Sequence, residues 1–156
     1  MLINLRALIM KLPFHLLVLK AYHAQRNRIR PAIYEAGLSP GQPKILYVLI
    51  LHGPCMQKEL AAACEIDPAT ISRILGNMES AGLIERESGK DKRAARVQIT
   101  EKGRQAHAAV KTRFDQIVED SLQGFSVNER AQFVDYLNRM YHNLTGHGME
   151  WEEMTR

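Results

Sequence analysis

The sequence predicts a mainly α-helical chain with one small β-hairpin, and three observations predict it. Apolar residues recur at three- and four-residue spacing in stretch after stretch. Apolar and polar residues alternate strictly in one short region, around Val97 and Ile99. Glycine and proline stand between the periodic stretches, at Gly37, Gly53-Pro54, Gly82 and Gly124. With 156 residues and 46% apolar content, the chain has room for one domain, or for two small lobes sharing a core.

Phe14 to Ala36 reads as a long helix, with Leu17, Tyr22, Ile29 and Ile33 apolar and Arg26, Arg28 and Arg30 outward. Pro31 is expected to kink or break it, and Gly37 to stop it. Ser39-Pro40-Gly41-Gln42 reads as a capping box, with Ser39 as N-cap. Ile45, Leu46, Val48, Leu49 and Leu51 then form a buried helix. A third helix is expected from about Met56 to Ala63, with Leu60 and Ala61 inward and a poor N-cap.

Asp67 is a good N-cap, and Pro68 suits the first helical position because its missing N–H costs nothing there. Ile71, Ile74, Leu75 and Met78 give the next helix one apolar face. Its other face carries Ala69, Thr70, Ser72, Arg73, Gly76 and Asn77. Gly82 stops it. Two strands follow, starting at Leu83-Ile84 and around Val97, joined by a tip that holds Lys90, Lys92 and Arg93. Thr100 caps a helix from Glu101 to about Gln123. Ser126-Val127-Asn128-Glu129 opens a last one as a capping box, with Phe133, Val134, Leu137, Met140, Tyr141 and Leu144 on its apolar stripe.

Helix, short turn, polar-faced helix, then a hairpin is the winged helix-turn-helix plan. A helix entering a major groove needs a narrow outer face with donors and acceptors near its N-terminus. Thr70, Ser72, Arg73 and Asn77 meet that need. A cationic hairpin beside it suits phosphates or a narrow minor groove. Charge agrees with a polyanionic partner. The chain is +4 overall, and residues 1–36 and 86–104 are basic while residues 105–156 are acidic. The balance over residues 52–85 is slightly acidic, and it sustains a second reading, a helical protein-interaction module on a winged scaffold without specific DNA binding.

Other classes are excluded. Arg6, Lys11, Pro13, His15 and Lys20 interrupt the apolar N-terminus, so it approaches neither a membrane span nor a secretory signal. Cys55 and Cys64 make no disulfide framework and fit reduced thiols in the cytoplasm. Cys55, ahead of a helix start and near Lys58, is the better candidate for a reactive thiol, though buried inert thiols are the reading favoured for both. His142 and His147 are not a same-face ligand pair, and no Cys-x-x-Cys or His-Glu-x-x-His pattern exists, so neither metal nor cofactor is expected. Without a nucleophile elbow or P-loop, nothing carries an enzyme reading.

The stretches QKELAAACEIDPATISRILGNMESAGLIER and SGKDKRAARVQITEKG resemble the MarR family of bacterial winged-helix regulators, and the similarity covers about residues 14–146. The most specific part is Asp91-Lys92-Arg93 followed by Ile99-Thr100-Glu101-Lys102-Gly103. The resemblance implies a homodimer on a palindromic double-stranded DNA operator, repression of nearby genes, and release by a small ligand or an oxidant. It implies base contacts from Thr70, Ser72 and Arg73, and a minor-groove arginine at Arg93 oriented by Asp91. Arg86 would be the basic residue at the base of the wing, with Lys90 and Lys92 near phosphates. Two departures stand out. Met56 occupies a position where the family has a Ser or Thr cap, and the first long helix lacks the cysteine of the oxidation-sensing branch.

The chain is therefore expected to divide into an N-terminal dimerisation helix (1–36), a winged helix-turn-helix (37–100) and C-terminal dimerisation helices (101–156). A cleft between the long helices and the winged lobe, built from Phe14, Tyr22 and Tyr47, is expected to accept a small aromatic or amphipathic ligand.

Overall fold

The computed structural model describes residues 13–87 and 95–155. Its helices are α1 (Phe14–Glu35), α2 (Gln42–His52), α3 (Gln57–Ala63), α4 (Pro68–Ser80), α5 (Glu101–Ser121), α6 (Val127–Thr145) and α7 (Trp151–Met154). Three strands, β1 (Cys55–Met56), β2 (Ile84–Arg86) and β3 (Arg96–Ile99), form one antiparallel sheet in the order β1-β3-β2. The fold is mainly helical with a small winged sheet, as the periodicity predicts.

Most helix boundaries follow from local chemistry. Thr100 accepts from the Gly103 amide at 3.1 Å and caps α5. At α6 the Ser126 hydroxyl accepts from the Glu129 amide, and the Glu129 carboxylate accepts from the Ser126 amide at 2.8 Å. Gly82 and Gly124 take the positive φ that the ends of helices demand.

Four details differ from the sequence reading. The helix expected to start at Pro40 after a Ser39 cap starts two residues later, at Gln42. Gly41 sits left-handed at φ 92°, Pro43 enters the first turn, and the buried Gln42 side chain accepts from the Ser39 amide at 2.9 Å. α1 runs across Pro31 without a break. Cys55 and Met56, read as the approach to a helix, form β1 opposite Val97 and Arg96. The Glu59 carboxylate supplies the cap that Met56 cannot, accepting from the Met56 amide at 2.7 Å. The sequence also gave no sign of α7.

The core lies in the winged lobe. Ile45, Leu46 and Leu49 of α2, Leu60 of α3, Ile71, Leu75 and Met78 of α4, and Ile84 and Val97 of the sheet are almost fully buried. Ile29, Ala32 and Ile33 of α1 and Val110 and Ile117 of α5 close it from above. An Arg28–Asp120 ion pair at 2.5 Å joins those two long helices. The rest of α1 is uncovered, with Phe14, Leu17, Leu19 and Tyr22 exposed. No described residue of α6 is buried, although Phe133, Val134, Tyr136, Leu137 and Leu144 lie on it.

The junction of α5 with the winged lobe is tight. A Cβ at Gly103 would lie 2.1 Å from the Leu83 carbonyl oxygen. Only glycine lets α5 approach this closely, which explains the glycine in Thr100-Glu101-Lys102-Gly103. Gly103→Ala must push backbone from backbone. It should destabilise the fold by about 1–3 kcal/mol, the range for overpacking, read as a lower urea midpoint. An unchanged midpoint would mean that the junction yields freely.

Candidate nucleic-acid interface

The helix-turn-helix is α3, the turn through Cys64–Asp67, and α4. Its geometry is set by the inner face of α4. Ile71, Ile74, Leu75 and Met78 are all buried, so the opposite side must face out. Ser72, Arg73 and Asn77 are exposed there, and Gly76 between them keeps the face narrow. Arg73 is thus a cation on a low-profile surface, free of packing duties.

Thr70 is placed differently. It is half-buried in the first turn, and its amide donates to Asp67 Oδ1 at 2.9 Å. Hydrogen bonds from its side chain and amide hold the Asp67 carboxyl below its ordinary value. In this structure Thr70 supports the cap as well as standing near the outer face.

Arg86 is engaged within the protein. Its Nε lies 3.2 Å from Glu79 Oε2 at the end of α4, and its Nη1 donates to Gln57 Oε1 of α3 at 3.4 Å. It braces both helices against the base of the wing. Lys90, Asp91, Lys92 and Arg93 lie outside the described residues. Arg96 is a cation that the sequence reading left among the outward positions of β3. It is exposed, and its guanidinium donates to the Pro54 carbonyl. Its alternation with the buried Val97 was the signal for its orientation.

The cysteines carry no interface chemistry here. Cys55 is buried in the sheet, its thiol donates to the Gly53 carbonyl at 3.1 Å, and burial pushes its pKa up to about 11. Burial likewise raises Cys64 to about 11. Both thiols are protonated at neutral pH, the opposite of a reactive thiolate. Among the described residues, no group of His, Cys, Asp and Glu is arranged to hold a metal, and no helix is long and apolar enough to cross a membrane.

An apolar cavity of about 370 Å³ lies between α2 and α5. Its walls are Pro43, Lys44, Tyr47, Val110 and Phe114, with His107, Lys111 and Asp115 at the polar side. Tyr47 stacks on His107 with centroids 6.0 Å apart. Burial and the Lys111 charge lower the His107 pKa, which keeps the imidazole neutral at pH 7. Of the three residues expected in a ligand cleft, Tyr47 lines this cavity. Phe14 and Tyr22 do not, being exposed on the uncovered part of α1.

Fold and outward face together define a winged helix-turn-helix DNA-binding protein. Comparison with known proteins gives the class its particular form. Residues 36–94 match the model of the MarR family. The HTH-type transcriptional regulator YdgJ of Bacillus subtilis is 28% identical over 121 residues, covering 76% of this chain and 74% of its own. The crystal structure of a MarR-family transcriptional regulator from Silicibacter pomeroyi aligns with a TM-score of 0.74 at 25% identity, over 84% of this chain and 89% of that one. BpsR of Bordetella bronchiseptica shares the fold at a TM-score of 0.75 and 23% identity, over 83% of this chain and 99% of its own. These matches support a transcriptional regulator of the MarR family, whose members bind DNA.

The Asp67 cap makes a pH dependence. Its carboxyl is depressed in the folded state, so the unfolded chain binds a proton first as pH falls. The cap's contribution is complete above the ordinary aspartate value of 3.8 and is lost as pH drops through the depressed one. The protection of α4 amides, taken relative to intrinsic exchange at each pH, should therefore fall as pH drops below the ordinary aspartate value of 3.8. Asp67→Asn, which keeps an acceptor, should flatten the response. Equal pH profiles for the two proteins would dismiss the carboxylate as the cause.

Proposed function

We propose that the protein is a homodimeric repressor that works in the cytoplasm on nearby genes. Each copy would place α4 in the major groove of one half of a palindromic operator. Ser72, Arg73 and Asn77 would meet base edges, with Thr70 at the helix N-terminus. The wing would follow the backbone, with Arg93 in the minor groove, Asp91 orienting it, and Lys90 and Lys92 near phosphates. Arg86 would act from inside, fixing the wing's base to α3 and α4.

The observation that carries this reading is the division of α4. Its four apolar residues are consumed by the core, and a short-chained polar face with one exposed guanidinium is left over. Dimerisation is supported by the apolar surface on α1 and α6, which this chain leaves uncovered. A two-fold partner would bury the same patches of both copies. The 1–36 and 101–156 segments would then form the dimerisation lobe.

Small-molecule control is supported by the cavity between α2 and α5. Aromatic walls at Tyr47 and Phe114 suit a planar ring, and the His107 imidazole beside Tyr47 offers it a polar contact. BpsR, a structural neighbour, has DNA binding regulated by 6-hydroxynicotinic acid, an aromatic acid. Here such a ligand would weaken DNA binding only to the extent that it prefers the conformation unable to bind, typically about 1–3 kcal/mol of coupling.

Two measurements test the reading. Light scattering at micromolar concentration should give twice the 17.7 kDa chain mass; a monomer would remove the two-half-site arrangement. A gel shift on the region upstream of its own gene should show saturable binding. Arg73→Ala should then cost about 1–3 kcal/mol and relax preference at one base pair of each half-site. A uniform loss on all sequences would reduce Arg73 to a phosphate contact.

A further inference from the structure

The turn between α3 and α4 closes α3 through a left-handed residue, the usual end of a helix, but here that residue is not glycine. Glu65 within it has φ 52°, the only described non-glycine residue in the left-handed region. A residue with a Cβ is uncommon there and carries a steric cost that added attachments offset. Local backbone bonds exist, from the Glu65 amide to the Ala62 carbonyl and from the Ile66 amide to the Ala61 carbonyl. Two further attachments come from far away in the sequence. The Lys44 ammonium of α2 donates to the Cys64 carbonyl, at the end of α3. The Tyr141 hydroxyl, near the end of α6, donates to Glu65 Oε1 at 2.7 Å.

The second attachment is itself anchored. After α6, Gly146 reverses the chain, and the Gly148 amide donates to the Glu153 carboxylate. Trp151 of α7 then stacks on His52, at the end of α2, with centroids 4.1 Å apart and planes 17° apart. Trp151 also packs against the main core, and α7 lies on α3. The C-terminal end of α6 is thereby fixed beside the turn, and Tyr141 has little freedom to leave Glu65.

We propose that Lys44 and Tyr141 are positioning residues for DNA reading. They hold the turn that sets the direction in which α4 leaves α3. Neither need touch DNA. Asp67, the cap of α4, lies two residues beyond Glu65, so a change in the turn moves the start of the reading face. Ser72 and Arg73 would then meet the groove at a different depth. Phosphate contacts tolerate such a shift better than base contacts, because base hydrogen bonds are directional. The inference rests on α4 as the reading helix, and not on a ligand or on the direction of regulation.

The test uses the full-length protein and a labelled duplex selected in vitro by the parent from random sequence, beside an unselected duplex of equal length. Tyr141→Phe removes one hydroxyl and no charge. It should weaken binding to the selected duplex about threefold to tenfold, the scale of one hydrogen bond. Binding to the unselected duplex and the thermal midpoint should stay at the parent's values. Lys44→Met should lose selectivity in the same way, and Lys44→Arg, which keeps the donor, should restore it. Arg73→Ala in the same assay reports on α4 itself. If that variant retains the parent's selectivity, α4 is not the reading helix and the proposal falls with that premise. If Arg73→Ala loses selectivity while Tyr141→Phe and Lys44→Met keep it, the positioning role is wrong. Equal losses on both duplexes, or losses that track a lowered midpoint, would likewise overturn it in favour of simple charge or stability.

Discussion

The winged lobe is built around the burial of one helix face. Ile71, Leu75 and Met78 of α4 are fully enclosed by α2, α3 and the sheet, and Ile74 nearly so. Burying each such side chain favours folding by about 1.5–3 kcal/mol, so rotating α4 would forfeit several of these gains together. That cost fixes the rotation of the helix about its own axis. The orientation of Ser72, Arg73 and Asn77 is therefore a by-product of core packing, and the binding face is as rigid as the core behind it. Arg86 adds a polar brace on the same helix through Glu79.

The sequence made some of this plain because the responsible interactions are local. Asp67, Thr100 and Ser126 cap their helices within three residues of themselves, and the α4 stripe is visible as spacing. What stayed hidden depends on distant partners. β1 has only two residues, too few for alternation to register, and exists because Val97 and Arg96 lie opposite. The start of α2 was misplaced because Ser39 and Gln42 have the right spacing for a capping box, while Gly41 takes a left-handed conformation that delays the helix. Arg86 looks like any basic residue near a wing until Glu79 and Gln57 are seen around it. α7 is held by a stacking partner almost a hundred positions away. The inert thiols expected at Cys55 and Cys64 are what burial produces, although the strand pairing that encloses Cys55 is not visible in its neighbours along the chain.

The long helices divide their surfaces unevenly. α1 gives its last turns to the core and leaves its first turns bare, and α6 gives nothing. Tethers at the far end of α5 are mostly polar, with Arg130 on Glu119 at 2.8 Å and Phe125 beside Phe133. Exposed ion pairs of this sort add little stability. Their geometric effect is larger, since they set the angle at which α6 returns toward the winged lobe and brings Tyr141 to the turn.

The contact at Gly103 reaches further than its own residue. Three successive carbonyls after α4 are taken up by the first turn of α5. Lys102 donates to Ala81 at 2.7 Å, the Thr100 hydroxyl to Gly82 at 2.7 Å, and the Thr100 amide to Leu83 at 3.2 Å. With the glycine pressed on Leu83, there is no slack at this joint. α5 then behaves as a crank welded to the wing. A helix of 21 residues is roughly 31 Å long, so displacing its far end by about 3 Å turns the whole lobe by roughly 5°. Motion in the long helices is thereby converted into rotation of the lobe that carries α4, with no intervening hinge to absorb it.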